Sequence, residues 1–440
     1  MPDQAIAQLL TQRHPEWRAL HDDWDFLQAS YEGGRDYIEQ NIFAHSPRET
    51  EMDFKRRKTK AVYPNYVHSV VKTYRNHVFK HPEGIVRDVG DDEYQAWLVD
   101  VTRREDSANA FWSEVSAMCL LYGTTYVLVD MPRAPMSEGT PYTLSEADRR
   151  EENIVPYLVH VLPQNVVDWA LGEDGGYKWV RICETYQDDR NPMASRTTTT
   201  RYRVWTRIGW LLVNEQGDVL AQGEHALGIV PLVPVIYESS TRWEMSGTSF
   251  MYDFARMNRM VANSVSLRDR FLADSALQIL AMQIGYAGTA DDTPGPQVLK
   301  QGGVLEYPEG VQHAPAFIGP DPSVVQHMME HIRQLVTEMY RLAMLADREG
   351  KVQGDPQSGT AKRMDFEETS AALAAFADVL ETAEMKATRL WFRWLKRGWD
   401  PDWRIDYPDQ FNVRALEDDL TAAMDVRALY GSLAPRFAAE

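Results

Sequence analysis

Cysteine is scarce in this sequence, since the 440 residues include only Cys119 and Cys183. Two cysteines exclude a disulfide framework and a zinc site built from cysteines, and they fit a reducing compartment. Long apolar runs are also missing: no stretch reaches the 18 residues typical of a membrane span, and the nearest, residues 229–237, contains two prolines. The first four residues, Met-Pro-Asp-Gln, are neither basic nor apolar, so we expect no secretory signal.

Basic side chains are outnumbered. The chain has 46 Lys and Arg against 65 Asp and Glu, a net charge of −19. This balance argues against a surface that grips nucleic acid, because phosphate binding needs clustered cations. The one dense basic cluster, Phe54 to Lys60, is more typical of a solvated loop or helix end than of a nucleic-acid site. The ordinary content of 44% hydrophobic and 25% charged residues indicates a globular protein. The length of 440 residues predicts about three domains or lobes.

Several catalytic motifs are absent. The sequence has no GxxxxGK[ST] loop, no GxGxxG after a strand and no GxSxG elbow. One catalytic pattern is present, the HxxEH of residues 327–331, in which His327 and His331 share a helix face and Glu330 is placed to act as a base on a zinc-bound water. No third ligand stands in an obvious position. A polar helix face is therefore the favoured interpretation, and a zinc-dependent peptidase is the alternative.

The first half of the chain predicts a mixed fold. Residues 1–82 have helical spacing, a further helix is expected over about 91–122, and the run TTYVLVDMP that begins at Thr124 is typical of a buried strand. Strand patterns dominate residues 155–238, with a hairpin expected at Gly217-Asp218. Helices beside an antiparallel sheet give an α+β fold class.

The second half predicts long helices. One amphipathic helix is expected after Gly247, and residues 285–320 carry seven glycines and five prolines. A second helix follows, and then a 13-residue loop from Asp347 to Gly359, whose length fits either a functional loop or an ordinary helix connector. Residues 361–397 contain no glycine or proline, and Gly398 is expected to end that helix. Both later helices have apolar seams at alternating spacings of three and four: Val325, Met328, Ile332, Leu335, Met339, Leu342 and Ala346, then Phe366, Thr369, Leu373, Phe376, Leu380, Ala383, Ala387, Leu390 and Trp394.

This order of segments, together with the stretches YEGGRDYIEQ, NYVHSVVKTYRNHVFKHPEG and LLYGTTYVLVDMP, resembles the portal proteins (head-to-tail connectors) of tailed bacteriophages. The resemblance implies a portal-like subunit with a mixed α/β wing, a two-helix stem, a small clip, a tunnel loop with a long wing helix, and a short C-terminal crown. The expected boundaries are 1–246 for the wing, 247–284 for the first stem helix, 285–320 for the clip, 321–346 for the second stem helix, 347–360 for the tunnel loop, 361–397 for the long wing helix and 398–440 for the crown.

The resemblance also implies a function. Similar proteins form closed rings, typically of twelve copies, at one vertex of the capsid protein shell, and double-stranded DNA passes through the channel. Terminase docks on the clip, and a head-completion or tail adaptor protein later replaces it. We therefore expect a virion protein assembled in the host cytoplasm, with no catalytic activity, cofactor, metal or membrane. By resemblance, the tunnel loop would present Arg348, Lys351, Gln353 and Asp355 to DNA, and the clip would present Gln297, Lys300 and Glu306 to its partners. A helical scaffold without a DNA role is a second alternative.

Overall fold

The computed structural model describes residues 9–41, 45, 49–80, 84–132, 136–137, 140–141, 149, 154–188, 193, 197–276, 279–283, 304–307, 316–318, 321, 323–344, 359–409 and 411. These residues mix helices and strands, in agreement with the predicted α+β class. The helices are α1 (Pro15–Glu32), α2 (Gly34–Asn41), α3 (Glu51–Lys60), α4 (Tyr66–Phe79), α5 (Asp92–Trp97), α6 (Ala108–Tyr122), α7 (Tyr252–Ala276), α8 (Ser323–Leu342) and α9 (Gly359–Trp394).

The strands fall mainly in the middle of the chain. They are β1 (Val86–Asp88), β2 (Thr124–Asp130), β3 (Met136–Ser137), β4 (Thr140–Pro141), β5 (Tyr157–Val161), β6 (Val166–Leu171), β7 (Tyr177–Asp188), β8 (Thr197–Thr206), β9 (Gly209–Asn214), β10 (Val219–Glu224), β11 (Leu232–Ile236), β12 (Ile279–Gln283), β13 (Val304–Tyr307), β14 (Ala316–Ile318) and β15 (Arg404–Asp406).

Two compact units divide the chain. The sheet unit contains Met1–Asp25, Val70–Met251 and Met344–Glu440, and the hairpin unit contains Phe26–Ser69 and Tyr252–Ala343. Residues 26–69, which the sequence placed in the wing, therefore group with the segment expected to form the stem and clip. The described helices include none that combines the length and apolar character needed to cross a membrane.

An antiparallel sheet dominates the sheet unit. Its strand order is β10-β9-β8-β7-β6, so neighbours in the chain are neighbours in the sheet. This confirms the predicted sheet over 155–238 and the hairpin at Gly217, which takes a left-handed φ of 94° between β9 and β10. Short polar connections explain the simple order, because antiparallel strands need only a tight turn between them.

A second, three-stranded sheet places β2 between β11 and β5. The first six residues of β2 are buried, as its continuous apolar and β-branched sequence predicted. One apolar core joins the two sheets, with Tyr126 and Leu128 of β2 packed with Val180, Ile182 and Trp205 of the large sheet. These five core residues all lie in segments that the sequence predicted to be strands.

The helical segment predicted over 91–122 is interrupted. It forms two helices, α5 and α6, each started by a side chain that accepts a backbone hydrogen bond: Asp91 from Tyr94 N–H, and Ser107 from Ala110 N–H. Asp and Ser at these positions favour helix starts, so the second start, at Ser107, was present in the sequence. Apolar periodicity on both sides of the break concealed it.

The long helix α9 confirms its predicted seam from Thr369 to Leu390, because all seven seam positions in this range are buried. The predicted end of this helix, residue 397, was wrong. The helix stops at Trp394, where Lys396 takes a left-handed φ of 55°, Lys396 N–H donates to Arg393 O (3.1 Å) and Arg397 N–H donates to Phe392 O (2.9 Å). This pair of hydrogen bonds is a Schellman motif with lysine in the position that glycine usually occupies. Gly398 does not end the helix.

Candidate functional site

The helices α7 and α8 pack on each other in the hairpin unit. At one end, β12 follows α7 by two residues and pairs with β14, which precedes α8. At the other end, Tyr66 meets both helices: its N–H donates to Asn258 Oδ1 of α7 at 3.1 Å, and its ring lies 6.4 Å from that of Tyr340 of α8. The helices are therefore antiparallel, and α7 is ~37 Å long. They form a helical hairpin.

A small sheet closes the tip of this hairpin. Its order is β13-β12-β14, with β12 parallel to β13 and antiparallel to β14. We call β12, β13 and β14 the tip sheet. Two of its strands, β13 and β14, lie in the segment 285–320 that was expected to form the clip, and Glu306 lies in β13, in register with Met282 of β12. The other two predicted docking residues, Gln297 and Lys300, lie outside the described residues.

The first stem helix was predicted too long. The expected span was 247–284, but α7 begins at Tyr252, ends at Ala276, and residues 279–283 form β12. The sequence from Phe271 to Gln283 has no glycine or proline, so no local signal marked the change. Pairing with two strands distant in sequence overrides the local helical preference here.

Asn258 fixes the base of the hairpin. It is fully buried in α7, its Oδ1 accepts from the N–H groups of Tyr66 and Val67, and its Nδ2 donates to Pro64 O at 2.8 Å. These donors are the first N–H groups of α4, which have no partners within their own helix. A single buried amide thus holds the start of α4 against the hairpin.

An ion triad holds α3 against α7. Arg57 donates two hydrogen bonds to Glu49 (2.9 and 2.7 Å), and Arg270 of α7 donates to the same carboxylate at 2.5 Å. The Glu49 side chain is 2% exposed and that of Arg57 is 5% exposed. The hydrogen bonds from Arg57 lower the pKa of Glu49. The basic cluster at 54–60 forms the C-terminal part of α3, in agreement with the predicted helix end, but Arg57 is buried in the triad and not solvated.

The predicted seam of α8 is only partly buried. Met339 is buried, as are Val336 and Ala343, whereas Leu342 is 44% exposed. The buried stripe has moved by one residue towards the C-terminus, because a straight helix drifts from a strict 3.5-residue repeat. Both hairpin helices also expose large apolar side chains that fall between 37% and 50% exposure: Met260, Leu267 and Leu272 on α7, and Val324, Met329 and Leu342 on α8.

The HxxEH pattern lies on the outside of α8. His327 and His331 are both exposed, and Glu330 pairs with Arg333 at 3.7 Å. Within the described residues, no group of three or more His, Cys, Asp and Glu side chains is placed to hold a metal ion. Two imidazoles on one helix face give half of a tetrahedral zinc site.

The predicted tunnel-loop residues Arg348, Lys351, Gln353 and Asp355 lie outside the described residues. The ends of their segment are described. Before it, Met344 takes a left-handed φ of 48° and its carbonyl accepts a hydrogen bond from the Thr369 hydroxyl of α9. After it, α9 begins at Gly359, ten residues or ~15 Å before Thr369.

A buried network fixes α9 itself. Arg87 of β1 donates to both oxygens of Glu384 (2.5 and 3.2 Å), and the Tyr407 hydroxyl donates to the same carboxylate at 2.5 Å. Burial and the nearby Glu384 carboxylate raise the pKa of Tyr407 well above its usual value. Since β1 pairs with β15, this network ties three distant segments of the sheet unit together.

Comparison with solved structures finds similar chains in gene transfer agent particles. The chain is similar to one in the neck of an empty GTA particle computed with C6 symmetry, with 11% identity and a TM-score of 0.43 over 90% of this chain and 95% of that one. It is also similar to a chain in the virion of a native gene transfer agent (GTA) particle, with 9% identity and a TM-score of 0.39 over 93% and 95% of the two chains. No protein-family model matches the sequence, and no curated protein matches it. With so few identical residues, this chain's own geometry must carry the assignment of function.

Proposed function

We propose that this chain is the portal subunit of a tailed-phage-like particle, a structural protein that forms a ring around a channel for double-stranded DNA. The observation that carries the proposal is the helical hairpin with a sheet at its tip, followed by a connection of sixteen residues, 343–358, and a 36-residue helix. In the portal family this order is stem, clip, stem, tunnel loop and wing helix. The mixed sheet unit supplies the wing.

The exposed apolar side chains support assembly. Met260 and Leu267 are seven residues apart on α7 and so lie on one face of the helix, whereas Val324 and Leu342 lie on α8. Two different apolar surfaces on one hairpin suit a head-to-tail contact, in which one surface of each copy meets the other surface of the next. When the rotation between copies closes, such a contact produces a ring.

The remaining roles follow from position. We assign docking of terminase and then of an adaptor to the tip sheet, which contains Glu306, and to the sequence between β12 and β13, which contains Gln297 and Lys300. The reason is that the tip is the end of the hairpin away from its base at Tyr66. The loop with Arg348, Lys351, Gln353 and Asp355 is the proposed contact with passing DNA. Its mixture of cations and carboxylates favours weak contacts that release easily.

The peptidase alternative has less support. It requires a third ligand beside His327 and His331, and none of the described carboxylates or thiols is placed to supply one. A helical scaffold without a DNA role would share the hairpin but would have no need of a closed ring.

Electron microscopy of the purified protein is the decisive experiment. We expect rings with a central hole, and class averages that show a narrow stem made by the hairpins. A particle that stays monomeric at micromolar concentration would reject the portal assignment, and open filaments or compact dimers would favour a scaffold. Packaging of full-length genomes by particles that carry this ring then tests the DNA role.

A further inference from the structure

The charge of this protein is unevenly distributed. The ranges of the hairpin unit contain 14 Lys and Arg against 16 Asp and Glu, a net charge of −2, so almost all of the −19 belongs to the sheet unit. The acid excess that argues against nucleic-acid binding for the whole chain therefore does not apply to the hairpin unit.

Helix α3 is the most basic element of that unit. Five of its ten residues are Lys or Arg. Three of the cations are exposed, Lys55, Arg56 and Lys60, and the described residues place no carboxylate in an ion pair with any of them. They span five residues, ~7.5 Å along the helix axis. Glu51, at the first turn, is exposed, and Asp53, the other carboxylate of the helix, is half-buried.

The other two cations of α3 serve the fold. Arg57 is held by Glu49, which also binds Arg270 of α7, and Lys58 donates to Glu39 O at 2.7 Å. Thr50 caps the helix by accepting from Asp53 N–H. These contacts hold α3 in a fixed orientation with its three exposed cations outward. A surface that is already ordered loses little conformational freedom when a ligand binds.

We propose that Lys55, Arg56 and Lys60 form a binding surface for the phosphate backbone of double-stranded DNA, distinct from the loop that follows α8. Apart from the cations, the exposed face offers Met52 and Thr59. Its one large apolar side chain is Met52, 62% exposed, and none of its exposed residues is aromatic, so it offers less apolar contact than protein interfaces and membrane-surface helices use. Clustered cations with little apolar surface match a polyanion read through its backbone, without sequence preference. The choice of DNA as the polyanion rests on the proposed function.

The test measures binding of a fluorescent 20-base-pair duplex by anisotropy at 50 and 200 mM salt. Three phosphate contacts predict that the affinity of the wild-type protein falls about 40-fold between these salt concentrations. The variant Lys55→Glu, Arg56→Glu, Lys60→Glu should bind at least tenfold more weakly at 50 mM salt and lose most of the salt dependence. The same three positions changed to Gln give a milder variant for the case in which the reversed charges disturb folding.

A charge-matched control distinguishes the effect of this surface on DNA binding from the effect of net charge. Lys72, Lys178 and Lys386 are exposed in the sheet unit, and changing all three to Glu alters the net charge by the same amount. This control should bind DNA within threefold of the wild-type protein. Equal losses in the two variants, or equal binding by the α3 variants and the wild-type protein, would overturn the proposal. Light scattering on the same samples reports ring formation separately, so DNA binding without rings would reject only the portal assignment, and rings without DNA binding would reject only this surface.

Discussion

Glu49 is the residue on which the position of α3 depends most directly. Replacing it by Gln leaves Arg57 buried beside a neutral partner, and breaking a buried pair in this way costs about 3 kcal/mol or more of unfolding free energy. We expect Glu49→Gln to show this loss in denaturant unfolding at pH 7. Glu39→Gln is the control, since Glu39 pairs with Arg35 on the surface, where a pair is worth about 0.5 kcal/mol.

The same substitution has a defined pH dependence. The pKa of Glu49 is lowered in the folded protein, so its contribution is fully present above its ordinary pKa of 4.5 and is lost as the pH falls through the lower folded value. The difference in stability between wild type and Glu49→Gln should therefore be constant from pH 7 to about pH 5 and shrink below pH 4.5. A difference that grows on acidification would contradict this assignment.

Gly123 illustrates a residue whose backbone allows no side chain. It ends α6 at a φ of +76°, and a Cβ there would lie 2.5 Å from Ser249 N. Gly175 has nearly the same φ, +73°, with open space around it. Gly175→Ala should cost about 1 kcal/mol for the left-handed backbone alone, and Gly123→Ala about 1–3 kcal/mol more for the collision. If thermal unfolding shows similar losses of stability for the two variants, the backbone around Gly123 can move to accommodate the added Cβ at little cost.

The two histidines of α8 give a prediction about metal. His327→Ala with His331→Ala removes only exposed side chains, so assembly and stability should be unchanged within about 0.5 kcal/mol. Elemental analysis of the wild-type protein should find far less than one zinc per chain. One equivalent of zinc that disappears in the double variant would restore the peptidase hypothesis.

At the scale of elements, the C-terminal end of α9 has a lysine at a position where the left-handed backbone favours glycine. Lys396 adopts the left-handed conformation, which costs roughly 1–2 kcal/mol for an L residue, whereas Lys386 lies exposed in the regular helix. Lys396→Gly should therefore raise the unfolding free energy by about 0.5–1 kcal/mol, and Lys386→Gly should lower it by about 1 kcal/mol. Both variants lose one positive charge. Changes of opposite sign in the unfolding free energy, measured by denaturant unfolding, would therefore be due to the backbone conformation.

The elements show what the sequence could and could not predict. Strand β2 and the seam of α9 were predictable because each buries a continuous or periodic apolar pattern that is local in sequence. The end of α7 was not, because β12 exists through pairing with β13 and β14, which lie over 20 residues away. The role of Arg57 was hidden for the same reason, since Arg270, which shares its carboxylate, is more than 200 residues distant.

At the scale of the whole molecule, ring assembly should depend on the exposed apolar surface of α7. Met260→Glu with Leu267→Glu places two carboxylates where the proposed neighbour would bury them, and an unpaired buried charge is strongly unfavourable. We expect light scattering to show a shift from the ring to the 50.4 kDa subunit. Ala273→Glu, also exposed on α7 but on a different side, should leave the ring intact. Rings that persist in the double variant would place the contact elsewhere.

The candidate site was predictable in outline only. The order of hairpin, loop and long helix is visible in glycine, proline and apolar spacing, because these mark where long elements begin and end. The grouping of residues 26–69 with the hairpin is not, since it depends on Asn258, Tyr66 and Glu49, which act across the chain.

The division into two units also determines which part of the protein each spectroscopic signal follows. All 13 tryptophans of the chain lie in the ranges of the sheet unit, and the hairpin unit has none. Tryptophan emission therefore follows only the sheet unit, while far-ultraviolet circular dichroism at 222 nm registers the helices of both. If the hairpin melts first, the dichroism will change before the emission does. A single Trp introduced at Tyr340 would give the hairpin unit an emission signal of its own.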